Sequence, residues 1–532
     1  MSSSETSTGT SPETSTELAR RVVLALLEAG VTDVVVAPGS RNQPLSFAVY
    51  DAAQAGLLRL HTRIDERSAG FLALGLTKGG RRAAVMCTSG TAVANLHPAV
   101  LEAAHAGLAL VVVTADRPAR LRGTGANQTT DQVDVFGRLV ATRDLGPGSA
   151  IGDLLVDRPV HLNAQLDEPL TPPDRWRPIA PALLSAPEPS SEVAETLQQG
   201  PRTVVVAGDD AGPLARRIAE DGGWPLLAEP SSGSRTGAAL RTYRLLLGSP
   251  LADRVERVVL AGHPTLSRPV SRLLGRADVE VVALPARGVW PTHPFPVART
   301  LAARPTVIGE PDAAWLAEWQ AADRSLARQL DRLVAGWSPY VVAGAVARAV
   351  APGDTLVIGP SSPIRDLDVM MAPYPVGERR KVLANRGLAG IDGVVSTAIG
   401  AALARPHGRT LALLGDVTFL HDAGGLVLGP QEPRPDLTIV VVNDDGGSIF
   451  ATLEQGAEEY ADGFERLFGT PHGADLAPLC AASRTPHLRV TSLGELEQAL
   501  ASPNGGIEVV EAVVSRADRR ATDAAIRALR PA

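Results

Sequence analysis

The 532-residue sequence predicts an α/β protein with three doubly wound parallel-sheet domains. Runs of β-branched, apolar residues such as TDVVV, TVVVAG and LTIVVV recur along the chain. Stretches of helical length separate them, and most runs end in a Gly, Ser or Asp turn. This alternation is typical of βα units that form parallel sheets. At roughly 100 to 200 residues per domain, the chain has room for about three domains.

The composition excludes several classes of protein. Hydrophobic residues make up 45% of the chain and aromatic residues only 4%, which is typical of a globular α/β protein and not of a fibrous or disordered one. The net charge is −7, and the basic residues are scattered. Because a nucleic-acid-binding surface requires clustered positive charge, we expect no nucleic-acid partner.

The cysteines and the N-terminal segment indicate a soluble, cytoplasmic protein. Cys87 and Cys480 lie in apolar sequence without a CxxC or Cys/His cluster, so neither a disulfide framework nor a zinc site is expected. The opening MSSSETSTGTSPETST is polar and of low complexity, which predicts a disordered tail over residues 1–15 and not a signal peptide. No apolar run reaches the roughly 18 residues of a membrane-spanning helix, so no membrane partner is expected.

The first domain is predicted over residues 16–185. It begins with an amphipathic helix from Glu17, and a proline-rich linker starts at Thr171. A further helix should follow Asp65-Glu66-Arg67, and another should run through Ala104. The predicted strands lie in TDVVVAP, LRLHTRI, AAVMCTSG and LALVVVTADRP, and the domain closes with RPVHLNAQLDEPL.

Two further domains are predicted over residues 186–335 and 336–532. The middle domain shows three strands, TVVVAG, RVVLAG and VEVVALP, but no GxGxxG motif, so we interpret it as a scaffold and not as a second cofactor site. A charged helix from Asp312 to Trp337 leads to the last domain. Its predicted elements are strands in DTLVIG and RKVLANRG, a helix after Asp392, a βαβ unit, and a final strand and helix from Gly506.

The βαβ unit, from Leu411 to Phe450, carries the strongest chemical signal. The strands LALLG and LTIVVV each end at carboxylates, Asp416 and the Asn443-Asp444-Asp445 cluster. Parallel strands would bring these groups together at one sheet edge. Oxygen ligands suit magnesium, and the following Gly446-Gly447 would let the backbone approach a diphosphate. The alternative is that the acids only cap strand ends.

This stretch resembles the cofactor motif of thiamine-diphosphate enzymes, GDG followed some thirty residues later by NN. Val417 replaces the second glycine of that motif, and Asp444 replaces its second asparagine. The resemblance implies a Mg²⁺ or Mn²⁺ ion held by Asp416, Asp444 and the carbonyl of Gly446, with Asn443 supporting the turn. The thiamine diphosphate itself would contact a set of seven residues: Glu66, Gly415, Asp416, Val417, Gly447, Ile449 and Phe450.

The three-domain order is similar to the pyrimidine-binding, middle and diphosphate-binding arrangement of thiamine-diphosphate carboligases. In that family a glutamate after the second strand of the first domain hydrogen-bonds the aminopyrimidine ring and activates the cofactor, and Glu66 has this place in RIDERSAGF. From its position alone, Glu66 could instead be a helix-capping residue, because acids are favoured in the first turn of a helix. The family also implies a homodimer or homotetramer with active sites at the subunit interface.

Nine further segments resemble the branch of this family that joins 2-oxoglutarate to isochorismate in menaquinone biosynthesis. They are APGSRNQPL, RIDERSAGFLALGLTK, TSGTAVANLHPAV, TADRP, GANQTTDQ, HLNAQLDEPL, SSPIRDLD, NRGLAGIDG, and GGSIF with FERLFGTPHG. The resemblance implies that Ser361 and Arg365 bind the distal carboxylate of 2-oxoglutarate. It likewise assigns Arg41 and Arg117 to isochorismate and Gln128 and Arg386 to the region between, and it includes Ser40 among the substrate-binding residues. Guanidinium groups suit carboxylates, although any single arginine could instead be solvated or salt-bridged.

Each alternative function would require different sequence features. Another thiamine-diphosphate carboligase or a 2-oxoacid decarboxylase, such as an acetohydroxyacid synthase, would share the cofactor motif but would not require this set of arginines. A nucleotide-binding dehydrogenase should show GxGxxG after a strand, and none is present. A catalytically inactive assembly protein would have no need of both Glu66 and Asp416.

Overall fold

The computed structural model describes residues 13–184, 195–289 and 292–531. These residues cluster into two compact units that divide in the chain at 187/188, and Gly429–Glu432 belongs to the first unit. The predicted boundary at 185/186 and most of the predicted tail lie outside the described residues. Among the described residues, none of the helices combines the length and apolar character needed to cross a bilayer.

The first compact unit contains a six-stranded sheet in the order β2-β1-β3-β4-β6-β5, with every neighbouring pair parallel. The buried faces of β1, β3, β4 and β6 pack on α1 and α2. Its strands are β1 (Asp33–Val36), β2 (Arg59–Thr62), β3 (Ala83–Cys87), β4 (Val111–Asp116), β5 (Ala141–Leu145) and β6 (Val160–Gln165). Its helices are α1 (Ser15–Glu28), α2 (Gln43–Gln54), α3 (Glu66–Lys78), α4 (Thr91–Asn95) and α5 (His97–Ala106).

The N-terminal helix and the linker are both anchored in this unit. Helix α1 begins two residues before the predicted Glu17, because Thr14 and Glu17 form a reciprocal capping box. The described part of the linker has no regular secondary structure, but Arg175 and the backbone of Trp176 bind the Asp51 carboxylate. Trp176 also packs against the hydrophobic core of the unit.

The second compact unit begins with the sheet of the predicted middle domain, in the order β12-β11-β10-β8-β9, and a separate pair of β7 and β13. The strands are β7 (Thr196–Gln198), β8 (Thr203–Ala207), β9 (Leu226–Ala228), β10 (Arg257–Ala261), β11 (Glu280–Ala283), β12 (Arg299–Thr300) and β13 (Thr306–Ile308). The helices are α6 (Leu214–Gly222), α7 (Tyr243–Leu246), α8 (Pro250–Asp253), α9 (Arg268–Leu274) and α10 (Ala313–Leu333).

The same unit contains a second six-stranded parallel sheet, in the order β15-β14-β16-β17-β19-β18. When its strands are renumbered from one, this order is identical to that of the first sheet. The strands are β14 (Thr355–Ile358), β15 (Lys381–Ala384), β16 (Thr410–Gly415), β17 (Leu437–Asn443), β18 (His487–Val490) and β19 (Ile507–Val513). The helices are α11 (Pro339–Ala349), α12 (Ser362–Met370), α13 (Val394–Ala404), α14 (Asp416–His421), α15 (Ala461–Phe464), α16 (Leu476–Ala482), α17 (Leu493–Ala501) and α18 (Arg519–Ala528).

The predicted strands are present, and the prediction missed six strands at sheet edges, β5, β7, β9, β12, β13 and β18. These strands are either mixed in polarity, as in β5 and β18, or only two or three residues long, as in β7, β9, β12 and β13, so they lack the apolar run of the central strands. The predicted βαβ unit is present as β16, α14 and β17, but its helix is short. The connection contains only the six-residue helix α14 and a 3₁₀ turn at Ala423–Leu426, followed by an irregular segment.

Candidate functional site

Asp416 lies where β16 ends, beside the end of β17. Its exposed fraction is 2%, and its carboxylate is held from several sides. Oδ1 accepts a hydrogen bond from the backbone N–H of Val417 at 2.7 Å, and Oδ2 accepts one from Gly446 at 2.9 Å. A carboxylate offers about four lone-pair positions, so these bonds orient it without exhausting its capacity to bind a cation.

The three polar residues after β17 have three different contacts. Asn443 Nδ2 donates to Glu511 Oε1 at 2.6 Å, and its Oδ1 accepts from the Asp445 backbone, so this side chain supports the turn. Asp445, at a positive φ of 59°, accepts from the backbone N–H groups of His472 and Gly473. Only Asp444 faces the cavity beside Asp416.

The Asp444 carboxyl is electrostatically unfavourable as an anion. Burial and the neighbouring Asp416 raise its pKa to about 7, and a hydrogen bond from Ser448 offsets part of the effect. Two buried carboxylates side by side repel each other unless a proton or a cation lies between them. The pair therefore has the chemistry of a divalent-cation site. In the described ranges no group of three His, Cys, Asp or Glu side chains is arranged so that it could hold a metal ion, so backbone or ligand oxygens would complete the coordination.

The glycines after Asp445 are required by close packing against a neighbouring segment. Gly446 has φ of 142°, and a Cβ there would lie 2.1 Å from the carbonyl oxygen of Gly469. A Cβ on Gly447 would lie 2.3 Å from the Phe468 carbonyl oxygen, and Gly447 N–H donates to Gly469 at 2.7 Å. Any side chain here would separate the turn from the segment that follows α15.

A cavity of about 130 Å³ adjoins the two carboxylates. Its walls include the predicted cofactor-binding residues Gly415, Val417, Gly447, Ile449 and Phe450, together with Ser361 and Ser448. Half-buried Ile449 and Phe450 supply an apolar side, and Phe450, Phe468 and Phe464 follow one another at ring distances of 5.7 and 6.2 Å. The residues present thus fit a group with a diphosphate-metal end and an apolar ring.

His472 is a site residue that the sequence interpretation did not single out. Its Nε2 lies 3.2 Å from Asp416 Oδ2, and its Nδ1 accepts the Ala474 backbone N–H at 3.0 Å. The only sequence signal was its position in FERLFGTPHG, more than fifty residues after Asp416. Spacing of that kind does not reveal a contact.

Arg365, predicted to bind the donor, and Arg386, predicted to contact the region between the two substrates, lie close together at the same sheet. Arg365 Nη1 donates to the carbonyl of Ser361 at 2.7 Å, and Arg386, with an exposed fraction of 4%, binds Thr265 Oγ1 at 2.8 Å. Burial, followed by the positive charges of Arg386 and Arg244, lowers the pKa of Arg365. Within the described residues no carboxylate lies in ion-pair range of Arg365, so a ligand carboxylate would be bound favourably.

Ser361 adopts a backbone conformation that is unusual for a residue other than glycine. Its φ is 72° and its ψ is −132°, at the residue that precedes α12. Such strain costs on the order of 1–3 kcal/mol and is found mainly at functional sites. The strained backbone supports the predicted role of Ser361 in substrate binding.

Glu66 is the first residue of α3, at the end of β2 in the first unit. The capping role is taken by Asp65, whose side chain accepts the Ser68 N–H, so α3 does not need Glu66 as its cap. Glu66 also adds to the effect of burial in raising the pKa of the Cys87 thiol, which places it beside the end of β3. The turn before it is fixed by Glu432, which accepts from Thr62 N and from Arg63 Nη1, both at 2.8 Å.

The remaining predicted residues follow β1 and β4 of the same sheet. Arg41 donates to the carbonyl of Leu166, and burial with the nearby charge of Arg117 lowers its pKa. Arg117 donates to the carbonyl of Asn127, and Gln128, at a φ of 57°, donates to that of Ser89. Ser40 is exposed. Among the predicted site residues, this edge of the sheet therefore gathers one carboxylate, Glu66, and two neighbouring guanidinium groups.

Comparison with known proteins agrees with this geometry. Residues 16–135 match the N-terminal TPP binding domain of thiamine pyrophosphate enzymes, and residues 367–510 match the C-terminal TPP binding domain. The 2-succinyl-5-enolpyruvyl-6-hydroxy-3-cyclohexene-1-carboxylate synthase of Nocardioides sp. (strain ATCC BAA-499 / JS614) is 67% identical over 98% of this chain and 99% of its own length. The chain belongs to this synthase family.

Two other members of the synthase family match almost as completely. The enzyme of Kineococcus radiotolerans is 46% identical over 94% of this chain and 96% of its own, and that of Rhodococcus erythropolis is 45% identical over 97% and 99%. The predicted fold class, three parallel α/β domains in the thiamine-diphosphate architecture, is confirmed. The assignment to this branch of the family is confirmed as well.

Proposed function

We propose that this chain is a thiamine-diphosphate-dependent transferase that decarboxylates 2-oxoglutarate and adds the remaining four-carbon unit to isochorismate. The products would be 2-succinyl-5-enolpyruvyl-6-hydroxy-3-cyclohexene-1-carboxylate and carbon dioxide, in menaquinone biosynthesis. The observation that carries the proposal is the 67% identity to the Nocardioides synthase over nearly the whole of both chains. The strand-end carboxylates and the arginine groups supply the chemistry that this reaction requires.

The diphosphate-binding edge would anchor the cofactor. Asp416, Asp444 and the carbonyl of Gly446 would hold Mg²⁺ or Mn²⁺, since among the described residues neither buried carboxylate forms an ion pair with a lysine or arginine. The Gly446-Gly447 backbone lies against the segment after α15 and leaves the turn open toward the cavity. Thiamine diphosphate, when bound, supplies the electron sink that allows a 2-oxoacid to lose carbon dioxide.

Glu66 would act as the acid-base residue. A carboxyl group at the start of α3, released from the capping role by Asp65, can exchange a proton with a ring nitrogen of the aminopyrimidine. Glu432 would keep the preceding turn in place through its contacts with Thr62 and Arg63. Glu66 is thus proposed to activate the cofactor and not to anchor it.

The arginines would select and orient the substrates. Arg365, with Ser361 one helical turn before it, is proposed to bind the distal carboxylate of 2-oxoglutarate, and Arg41 with Arg117 to bind isochorismate. Gln128 and Arg386 would contact the region between the two. Ile449, Phe450 and the rings of Phe464 and Phe468 would exclude water from the reacting carbon.

Product analysis tests the proposal directly. The purified enzyme with thiamine diphosphate and Mg²⁺ should consume 2-oxoglutarate and isochorismate together and release one equivalent of carbon dioxide per adduct, measured by mass spectrometry. Omission of isochorismate should leave only slow carbon dioxide release. Formation of acetolactate from pyruvate at a comparable rate would instead identify an acetohydroxyacid synthase.

The assembly and location are proposed on family grounds. We expect a homodimer or homotetramer, which sedimentation equilibrium will distinguish from a monomer. We expect a cytoplasmic enzyme, consistent with two buried, unpaired cysteines.

A further inference from the structure

We infer that His472 is a positioning residue for the metal site: its imidazole fixes the orientation of the Asp416 carboxylate that binds the cation. The inference rests on the proposed function, since it takes Asp416 to be a metal ligand. It adds a residue that is distant in sequence and that is not itself among the proposed metal ligands.

The hydrogen bonds of His472 determine which nitrogen carries the proton. Nδ1 lies 3.0 Å from the backbone nitrogen of Ala474, whose N–H can only donate, so Nδ1 must be the acceptor. In the neutral ring the proton is then on Nε2, which lies 3.2 Å from Asp416 Oδ2. Both ring nitrogens are thereby engaged, and neither retains a lone pair for a metal ion.

The segment that carries His472 is itself fixed to the metal turn. The Asp445 carboxylate accepts the backbone N–H groups of His472 at 3.1 Å and Gly473 at 2.8 Å. On the N-terminal side of His472, the Gly447 N–H donates to the carbonyl of Gly469 at 2.7 Å. These contacts hold the imidazole in place, with a side-chain exposed fraction of 16%.

The His472 hydrogen bond orients the Asp416 carboxylate through a side chain. Its two further bonds come from the backbone of Val417, adjacent in sequence, and of Gly446, whose carbonyl is a proposed ligand. His472 binds the same oxygen as Gly446, so the two donors together fix the rotation of the carboxylate. Partners of this kind typically contribute 10- to 100-fold in metal affinity.

Two substitutions separate the contact with Asp416 from the contact with Ala474. In His472→Gln the side-chain amide nitrogen can reach the position of Nε2, so the donor to Asp416 is kept. In His472→Asn the shorter side chain can still accept from Ala474 but cannot reach Asp416. His407→Ala, at an exposed position before β16, controls for the loss of a histidine elsewhere in the same unit.

The test measures Mn²⁺ binding by the electron paramagnetic resonance signal of the free ion, with thiamine diphosphate present. We expect His472→Asn to weaken Mn²⁺ affinity about tenfold or more, while His472→Gln stays within about threefold of the wild type. The melting temperature without metal should be unchanged in both variants. Wild-type affinity in His472→Asn, or equal losses in both variants, would overturn the inference.

Asp416→Ala separates this inference from the proposed function. If Asp416→Ala loses Mn²⁺ binding and His472→Asn does not, the metal site stands and only the role of His472 is wrong. If Asp416→Ala binds Mn²⁺ as the wild type does, the metal site is wrong, and the proposal for His472 falls with it.

Discussion

The two six-stranded sheets have the same strand order and opposite chemistry at their carboxyl ends. In the first, strand two leads to Glu66 and strand four to Arg117, so the predicted site residues there are one carboxylate and two mutually close guanidinium groups, Arg41 and Arg117. In the second, strand two leads to Arg386, while strands three and four lead to the buried pair of Asp416 and Asp444.

This contrast shows that the shared topology supplies positions and the loops supply function. One edge presents Glu66 at a helix start, where it can exchange protons. The other edge concentrates negative charge that a divalent cation would neutralise. We therefore assign activation of the cofactor to the first edge and its anchoring to the second, and the predictions below test that division.

Replacing Glu66 should have the largest effect, and only on activation. In Glu66→Gln the side chain keeps its shape but loses its acid-base function, so exchange of the thiazolium C2 proton should slow by about 10²- to 10⁴-fold. Proton exchange followed by NMR in D₂O measures this. Mn²⁺ affinity is the internal control and should remain unchanged. Exchange at the wild-type rate would remove Glu66 from the mechanism.

Replacing Asp416 should abolish anchoring. Loss of a metal ligand should weaken Mg²⁺-dependent cofactor binding by at least about a hundredfold, more than the loss of an outer partner of a ligand. Calorimetric titration of thiamine diphosphate with Mg²⁺ measures the change. Asp436→Ala is the matched control, because Asp436 is exposed at the opposite end of β17. Equal binding by the two variants would contradict the anchoring role.

The elements that were predicted correctly are those with a strong local pattern in the sequence. Strands β1, β4, β16 and β17 are buried and apolar, so the strands were predictable, as were the acids Asp416 and Asp444 that follow β16 and β17. Family resemblance implied that Asp444 is the metal ligand among Asn443, Asp444 and Asp445. The contacts of Asn443 with Glu511 and of Asp445 with His472 support that choice.

The residues that the sequence analysis missed act through tertiary contacts. Glu432 reaches Arg63 across 369 positions of the chain, and His472 reaches Asp416 across 56. Neither stands at a strand end or in a recurring spacing, and a single sequence carries no other local sign of such contacts. Arg244 was missed for the same reason. Its charge lowers the pKa of Arg365, although Arg244 lies in the predicted middle domain.

Replacing arginines should separate the two substrates. A charge-assisted hydrogen bond contributes about 1.5 to 3 kcal/mol, so Arg365→Ala should lower kcat/KM for 2-oxoglutarate about tenfold to a hundredfold and leave slow turnover of pyruvate nearly unchanged. Arg117→Ala should keep carbon dioxide release from 2-oxoglutarate and lose coupling to isochorismate. Separate assays of the two half-reactions decide this. Equal loss of both half-reactions in each variant would show that the division of arginines is wrong.

The smallest expected effect is a pH dependence set by Asp444. Because its pKa is raised to about 7, the group is protonated below that pH in the metal-free protein and must release a proton to bind a cation. Mn²⁺ affinity should therefore fall about tenfold per pH unit below 7 and be constant above it. In Asp444→Asn no proton is released, so this slope should disappear while an amide oxygen remains available to the metal.

The same shift predicts the stability of the metal-free protein. A carboxyl whose pKa rises from 3.8 to about 7 on folding is destabilising as an anion, so its cost grows between about pH 4 and 7 and is fully present above pH 7. Asp444→Asn should then be more stable than the wild type at pH 8 in EDTA, by up to about 4 kcal/mol at 1.36 kcal/mol per pKa unit. The advantage should shrink toward pH 5, as measured by urea denaturation. An advantage independent of pH would mean that packing, and not the paired negative charge of Asp444 and Asp416, limits this turn, and the contrast between the two sheet edges would lose its electrostatic basis.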